Sequence, residues 1–291
     1  MEAIEEQQKM TKGVVFGAGF LGTRIGEWFG YRIVPRSEID VTDIGTLKIF
    51  LEREMPEVVI NAVGKTGRPN TDWCEEHKEE TVKSNVEGAK NLAEECFERK
   101  IYFVNLGSGG IYYGNNDQRG FTEEDEPNMQ GQFYILTKIL AERALREFPC
   151  LQLRLNLPID DRPHERNLID KLRAYPRLIN IQNSMTTVPH MLPAMKILIE
   201  RKRIGVYNFT NPGTISAAEI MEMYRAFVDP NQKFEALSLE ELDKITKGKR
   251  SNCYLNTSKI ENELRETGAE MPEIHKAVEE CLMRYSGHLQ R

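Results

Sequence analysis

Tyr134 and Lys138 stand four residues apart in Phe133-Tyr134-Ile135-Leu136-Thr137-Lys138, with Ser108 upstream. On a helix this spacing puts a phenol and an ammonium on one face, one turn apart. A nearby ammonium favours phenolate, so the spacing predicts a Tyr134 whose pKa is lowered toward the range useful for proton transfer. A serine hydroxyl at the end of a neighbouring strand can hold the same substrate oxygen. Together these groups have the chemistry of carbonyl reduction. Alone, Tyr-x-x-x-Lys also describes any surface tyrosine beside a solvated lysine, so the elements that carry it must decide.

Those elements alternate through the first half of the chain. Gly13 to Phe16, Tyr31 to Val34, Val58 to Ala62, Ile101 to Leu106 and Leu151 to Asn156 read as strands. Phe20 to Phe29, Asp43 to Arg53 and Tyr134 to Arg146 read as helices, as does the run Val82, Val86, Ala89, Leu92, Ala93 and Cys96 at helical spacing. This order predicts an α/β fold with a doubly wound parallel sheet and right-handed crossovers. The second half is less regular. Pro189 to Arg201, Thr214 to Phe227 and Leu237 to Ile245 read as helices, Asp160 to Pro176 as polar with a helical core, and Val206 to Phe209 as a strand returning to the sheet. The expected division is a Rossmann domain of residues 11–160 and 184–212, with a smaller, mostly helical substrate lobe of residues 161–183 and 213–291.

Gly17-Ala18-Gly19-Phe20-Leu21-Gly22 lies between the first strand and the first helix. The first glycine permits the tight turn, the second lets backbone approach a pyrophosphate, and the third permits close helix–strand packing. The helix N-terminus adds N–H groups and a positive dipole end. At the end of the second strand an acidic residue suits a ribose 2′-hydroxyl and a basic one a 2′-phosphate. Val34 is followed there by Pro35, Arg36 and Ser37, with Glu38 late. Arg36 with Ser37 therefore argues for NADP over NAD, against the plain reading of Arg36 as a solvated arginine.

The chain of 291 residues carries a net charge of -6 and is 40% hydrophobic, which argues against a general nucleic-acid or anionic-membrane binder. No apolar run approaches the roughly 18 residues of a membrane span. Met1 to Lys12 is acidic and polar and reads as an extension before the first strand rather than a targeting signal. Five widely spaced cysteines without C-x-x-C argue against a disulfide framework or zinc site, and a reducing, cytoplasmic compartment is the expectation. The five histidines have no metal-ligand spacing, and Glu123-Glu124-Asp125-Glu126 reads as a solvated or lid-forming segment.

Taken together these residues resemble the extended short-chain dehydrogenase/reductase superfamily over nearly the whole chain. Asp40-Val41-Thr42-Asp43 looks like its adenine-flanking segment, Asn61-Ala62-Val63-Gly64 like its stretch under the cofactor, and Asn85-Val86-x-Gly88 like its helix asparagine motif. Within it, Val63-Gly64-Lys65-Thr66-Gly67-Arg68-Pro69-Asn70-Thr71-Asp72-Trp73-Cys74-Glu75, Ile181 to Thr186, Asn208 to Gly213 and Arg250-Ser251-Asn252 resemble the dTDP-4-dehydrorhamnose reductases. The likeness is closer still to the nucleotide-rhamnose synthase/epimerase-reductases of plants and large viruses.

The resemblance implies NADPH-dependent reduction of a nucleotide-linked 4-keto-6-deoxy-hexose. Tyr134 would give a proton to the developing alkoxide at carbon 4, Ser108 would hydrogen-bond that oxygen, and Lys138 would hold the nicotinamide ribose. Pro158 and Ile159 would lie against the nicotinamide. Lys65, Thr66, Arg68, Asn70, Asp72, Gly109 and Gly110 become candidate substrate contacts, with Arg68 suited to a diphosphate and Asn70 to sugar hydroxyls. Asn167, Lys171, Asn183 and Arg250 are candidates for the far side of the substrate. Each of these four has an equal reading as a helix-surface or turn residue.

One departure bears on activity. The epimerase-reductases carry a cysteine acid/base two residues after the catalytic serine or threonine, where this chain has Gly110. Lys171 remains at the position of that cysteine's partner. The reductase half is thus intact on paper, with a bifunctional 3,5-epimerase/4-reductase as one alternative. A cofactor-binding regulatory subunit, as in the β-subunit of methionine adenosyltransferase, is an alternative of another class. A homodimer through helices of the cofactor domain is a further implication of the resemblance.

Overall fold

Val14, Val15 and Phe16 are buried on both faces, as a central parallel strand requires. The computed structural model describes residues 11–68, 70–245 and 250–289. The first ten residues of the Met1 to Lys12 extension, and Pro69 of the family string, lie outside them. β1 (Gly13–Phe16) leads through α1 (Phe20–Phe29) to β2 (Arg32–Val34), and through α2 (Ile44–Glu54) to β3 (Val58–Asn61). Gly30 ends α1 in the left-handed region at φ 68, and the Asp43 carboxylate caps α2 by accepting from Gly45 N and Thr46 N.

Then come α3 (Trp73–Glu76), α4 (Lys78–Val82), a π-helical turn (Lys83–Glu87) and α5 (Gly88–Glu98). The sequence predicts one regular helix along the run from Val82 to Cys96; the π turn breaks its register at Asn85. β4 (Tyr102–Ser108), α6 (Phe133–Leu145), β5 (Leu151–Leu155), α7 (Leu168–Arg173), β6 (Arg177–Ile179), α8 (Val188–Glu200) and β7 (Gly205–Asn208) follow. The chain ends with α9 (Ala217–Phe227), β8 (Glu235–Leu237), α10 (Leu239–Ile245), α11 (Ser258–Arg265) and α12 (Ile274–Leu289).

The main sheet is parallel, in the order β2-β1-β3-β4-β5-β7. Its winding reverses between β1 and β3, so the crevice outside their carboxyl ends is the expected ligand position. Ile25, Val188, Met191, Leu192 and Leu198 fill one face of the sheet; Leu47, Phe50, Leu51, Leu92 and Cys96 fill the other. Ile260 and Leu264 of α11 join the first of these cores, so α11 packs on the main sheet rather than in the second lobe where the sequence division put it. A third core gathers α7, α9 and α12 around Ile169, Ile220, Tyr224, Val278 and Tyr285. That lobe also holds a two-stranded parallel sheet of β6 and β8, which the sequence reading did not anticipate. All five cysteines are buried free thiols. No helix of the described residues is long and apolar enough to cross a membrane.

Candidate active site

The glycine loop has the form its sequence predicts. Gly17 adopts φ +100, and a Cβ there would lie 2.9 Å from the Ala62 backbone. A Cβ on Gly22 would meet the Gly17 carbonyl at 1.8 Å, whereas one on Gly19 would meet nothing within 4 Å. The first and third glycines thus serve internal packing, and the second leaves backbone open to a ligand. Phe20 is buried and stacks on His164 at 4.8 Å, while Leu21 packs against the sheet core. A groove of about 390 Å³ runs from this loop past Val34, Arg36, Ser37, Asp40 and Val41 to Ala62, Val63 and Gly64. Its shape and donor set fit a dinucleotide.

Arg36 is not free in this groove. Its guanidinium pairs with Asp40 at 3.0 Å and lies 3.9 Å from Glu80, which also pairs with Lys65. Burial alone would raise Asp40, but hydrogen bonds from Thr42 and the pairing with Arg36 outweigh it and hold the carboxyl below its usual range. Asn61 and Asn85 act on backbone. Asn61 accepts from Val63 N at 3.0 Å and donates to Asn105 at 2.8 Å. Asn85, aimed by the π turn, accepts from Lys65 N at 2.6 Å and donates to the Lys65 carbonyl and to Thr137. It ties the loop after β3 to the helix that carries Tyr134 and Lys138.

Ser108 ends β4, and its Oγ accepts from Gly110 N at 3.2 Å. Glu75, in the loop string after β3, accepts from Phe133 N at 2.7 Å and so satisfies a donor at the start of α6. Lys138 donates to the Leu106 carbonyl at 3.1 Å, and a Cβ on Gly64 would lie 3.9 Å from its Nζ. Ser108 and Lys138 thus stand at the carboxyl ends of β3 and β4, with Tyr134 one turn before Lys138 on α6.

The structure corrects one expectation about this trio. Burial raises the Tyr134 phenol, with a smaller contribution from Cys74, and no lowering by Lys138 opposes it. Burial pushes Lys138 itself down to about 8. The ammonium donates to the Leu106 carbonyl of β4.

Beside Ser108, a Cβ on Gly110 would lie 3.2 Å from Ile135 Cδ1, 3.3 Å from Ser108 Oγ and 3.7 Å from Asn156 Oδ1. Gly109 is closed off by Leu255, which a Cβ would meet at 2.5 Å. The loop after β3 is held from outside. Thr66 accepts from Arg166 at 2.6 Å, Gly67 accepts from the same guanidinium, and Arg68 pairs with Glu165 at 3.0 Å. Asn70 accepts from Asp72 N, and Asp72 pairs with Arg250 at 3.0 Å. Arg166 was not singled out from sequence, because its contacts lie across a hundred residues.

Three candidates are spent on structure. Asn167 is fully buried, caps α7 and donates to the carbonyls of Asp160 and Arg162. Asn183 is buried and joins Asn156 to the backbone of Ser251 and Cys253. Ile159 is fully buried in the second-lobe core and pairs through its backbone with Thr187. Pro158, beside it, is partly exposed, and its carbonyl accepts from Leu168 N. Lys171 stays half-buried, and burial first, then the charge of Arg166, lowers its ammonium.

Residues 18–149 match the NAD dependent epimerase/dehydratase family. The chain is 40% identical over 242 residues to a bifunctional dTDP-4-dehydrorhamnose 3,5-epimerase/dTDP-4-dehydrorhamnose reductase of Arabidopsis thaliana, covering 81% of this chain and 78% of the relative. It is 36% identical over 277 residues to a trifunctional UDP-glucose 4,6-dehydratase/UDP-4-keto-6-deoxy-D-glucose 3,5-epimerase/UDP-4-keto-L-rhamnose-reductase of the same plant, covering 89% of this chain but only 40% of that protein's length. The crystal structure of the UDP-rhamnose synthase of Acanthamoeba polyphaga mimivirus superposes with a TM-score of 0.87 at 31% identity, covering 94% of this chain and 99% of that one. With the glycine loop, Ser108 and the Tyr134–Lys138 helix in place, the chain belongs to the extended short-chain dehydrogenase/reductase superfamily, in its branch of nucleotide-rhamnose synthases and dTDP-4-dehydrorhamnose reductases.

Proposed function

We propose that this chain is an NADP-preferring reductase, able to use NAD, of the 4-keto group of a nucleotide-linked 4-keto-6-deoxy-hexose of the dTDP- or UDP-4-dehydrorhamnose type. The observation that carries the reading is the placement of Ser108 and the Lys138 ammonium at the carboxyl ends of β3 and β4, with Tyr134 one turn before Lys138 on α6 and the groove of Gly19 and Gly64 beside them. Bound in the groove, the nicotinamide dinucleotide supplies the hydride. Ser108 donates a hydrogen bond to the substrate's carbonyl oxygen as charge develops on it. Tyr134, kept protonated by burial, delivers the proton that turns the alkoxide into a hydroxyl. The Lys138 ammonium, which donates to the Leu106 carbonyl, would hold the nicotinamide ribose. Arg68 on the loop after β3, Arg166 and Arg250 that hold it, and Lys171 near Arg166 are the cations assigned to the diphosphate of the substrate.

The test is NADPH oxidation with dTDP- and UDP-linked 4-keto-6-deoxy sugars. Absence of turnover with every such substrate, in protein that binds NADPH, defeats the reading. The relatives' names also carry a 3,5-epimerase, but Gly110 has no proton to transfer. Reduction therefore proceeds here without deuterium incorporation at carbons 3 and 5 in heavy water. Incorporation would establish the bifunctional reading instead.

A further inference from the structure

Arg154 of β5 is fully buried, and its guanidinium makes a two-pronged contact with Glu142, through Nε at 2.8 Å and Nη2 at 2.7 Å. Glu142 stands one turn beyond Lys138 and two beyond Tyr134, so the same helix face carries all three. The other arm of the guanidinium, Nη1, donates to the Tyr112 hydroxyl at 3.0 Å and to Asn208 of β7 at 3.3 Å. Tyr112 closes the short turn Gly109–Ile111 that follows Ser108, and its hydroxyl donates in turn to the Asp125 carbonyl at 2.7 Å. Further donations from Arg154 reach the carbonyls of Thr122 and Glu123, both at 3.4 Å.

One buried cation therefore contacts side chains on both segments that carry the trio, Glu142 on α6 and Tyr112 after the Ser108 turn. A buried ion pair is weak evidence for stability, since apolar residues of similar volume often serve as well. What a planar guanidinium adds is direction: its fork fixes a carboxylate in two contacts, where a lysine offers a point charge. Catalytic rate is sensitive to that kind of fixing, because a displacement of about 1 Å can cost on the order of a hundredfold.

We propose that Arg154, with Glu142 and Tyr112, is a positioning cluster that sets the Ser108 turn against the Tyr134–Lys138 helix face. The catalytic part of this inference rests on the reductase reading above; the geometric part does not. Two variants test it. Arg154→Lys keeps the charge and removes the fork, and Tyr112→Phe keeps the ring and removes only the hydroxyl link. Each is measured for kcat, for KM toward NADPH, and for deuterium uptake by peptides covering Ser108–Ile111 and Tyr134–Lys138.

The expected result is a kcat lowered at least about tenfold, with KM toward NADPH within about twofold. Uptake should be faster in both peptides together, although they lie on separate elements. Uptake that rises in only one peptide, or a kcat per folded molecule equal to the parent's, overturns the proposal. If no nucleotide sugar is turned over at all, the reductase reading fails while the exchange measurement still decides the coupling. If Arg154→Lys does not fold, Tyr112→Phe carries the test alone.

Discussion

Lys138 is drawn in opposite directions by catalysis and by folding. In the proposed reaction its ammonium holds the nicotinamide ribose, yet burial lowers it from an ordinary 10.5 to about 8. Tyr134, raised by the same burial, keeps its proton throughout that range. The rate of carbonyl reduction is therefore expected to fall as pH rises through about 8. Lys138→Arg, charged at every accessible pH, should remove that limb, whatever it does to the maximum. Stability has the opposite sign. Between about 8 and 10.5 the unfolded chain holds a proton at this lysine that the folded chain has released, so this group's contribution to stability rises with pH there. Urea midpoints across that window, compared with Lys138→Met, check the sign. Tyr134→Phe should lower kcat by about 10²–10⁴ with little change in cofactor affinity, as loss of a general acid requires. A pH–rate profile flat through pH 9 in the parent enzyme would show that Lys138 does not act as a cation.

At the scale of elements, the glycine loop makes two positions separable. Gly22→Ala places a methyl 1.8 Å from the Gly17 carbonyl, so β1 and α1 must part, and both stability and cofactor binding should fall. Gly19→Ala meets nothing within 4 Å and should leave the melting temperature within about 2 °C, while weakening NADPH binding about tenfold or more. Thermal melts with isothermal titration of NADPH distinguish them, and equal affinities for Gly19→Ala and parent would mean that no phosphate approaches that backbone. The form of this loop was legible because local rules govern it: strand, glycines, helix. So were β1, α1 and α6, whose patterns fit a single period. The π turn was not, since its irregular register serves a distant contact, Asn85 on Lys65 and Thr137. Nor were β6 and β8, three residues each, too short for any periodicity to appear.

Across the whole molecule, the contacts that join the second lobe to the glycine loop link residues more than a hundred apart, and this is why sequence left them unread. The strongest is Arg24 of α1, whose Nε reaches Asp160 at 2.7 Å, with Nη2 at 3.1 Å from Asp160 and 3.2 Å from Asp161. Both Arg24 and Asp160 are buried, and the stack of Phe20 on His164 closes the same seam. Burial raises the Asp160 carboxyl, and the Arg24 pairing works against that rise. Arg24→Leu removes the opposition and leaves a buried carboxylate beside Asp161. The loss should be about 3–5 kcal/mol near neutrality, the usual cost of orphaning one partner of a buried pair. It should also shrink in acid. A carboxyl whose folded pKa lies above its unfolded value binds a proton in the native state first, so its penalty is relieved as pH falls. Urea denaturation of Arg24→Leu and parent at pH 7 and pH 5 measures both quantities. A loss equal at the two pH values would place the cost in packing around α1 rather than in the Asp160 charge. A loss that narrows in acid would place the cost in the Asp160 charge, and so in the ion pair that joins α1 to the segment entering the second lobe.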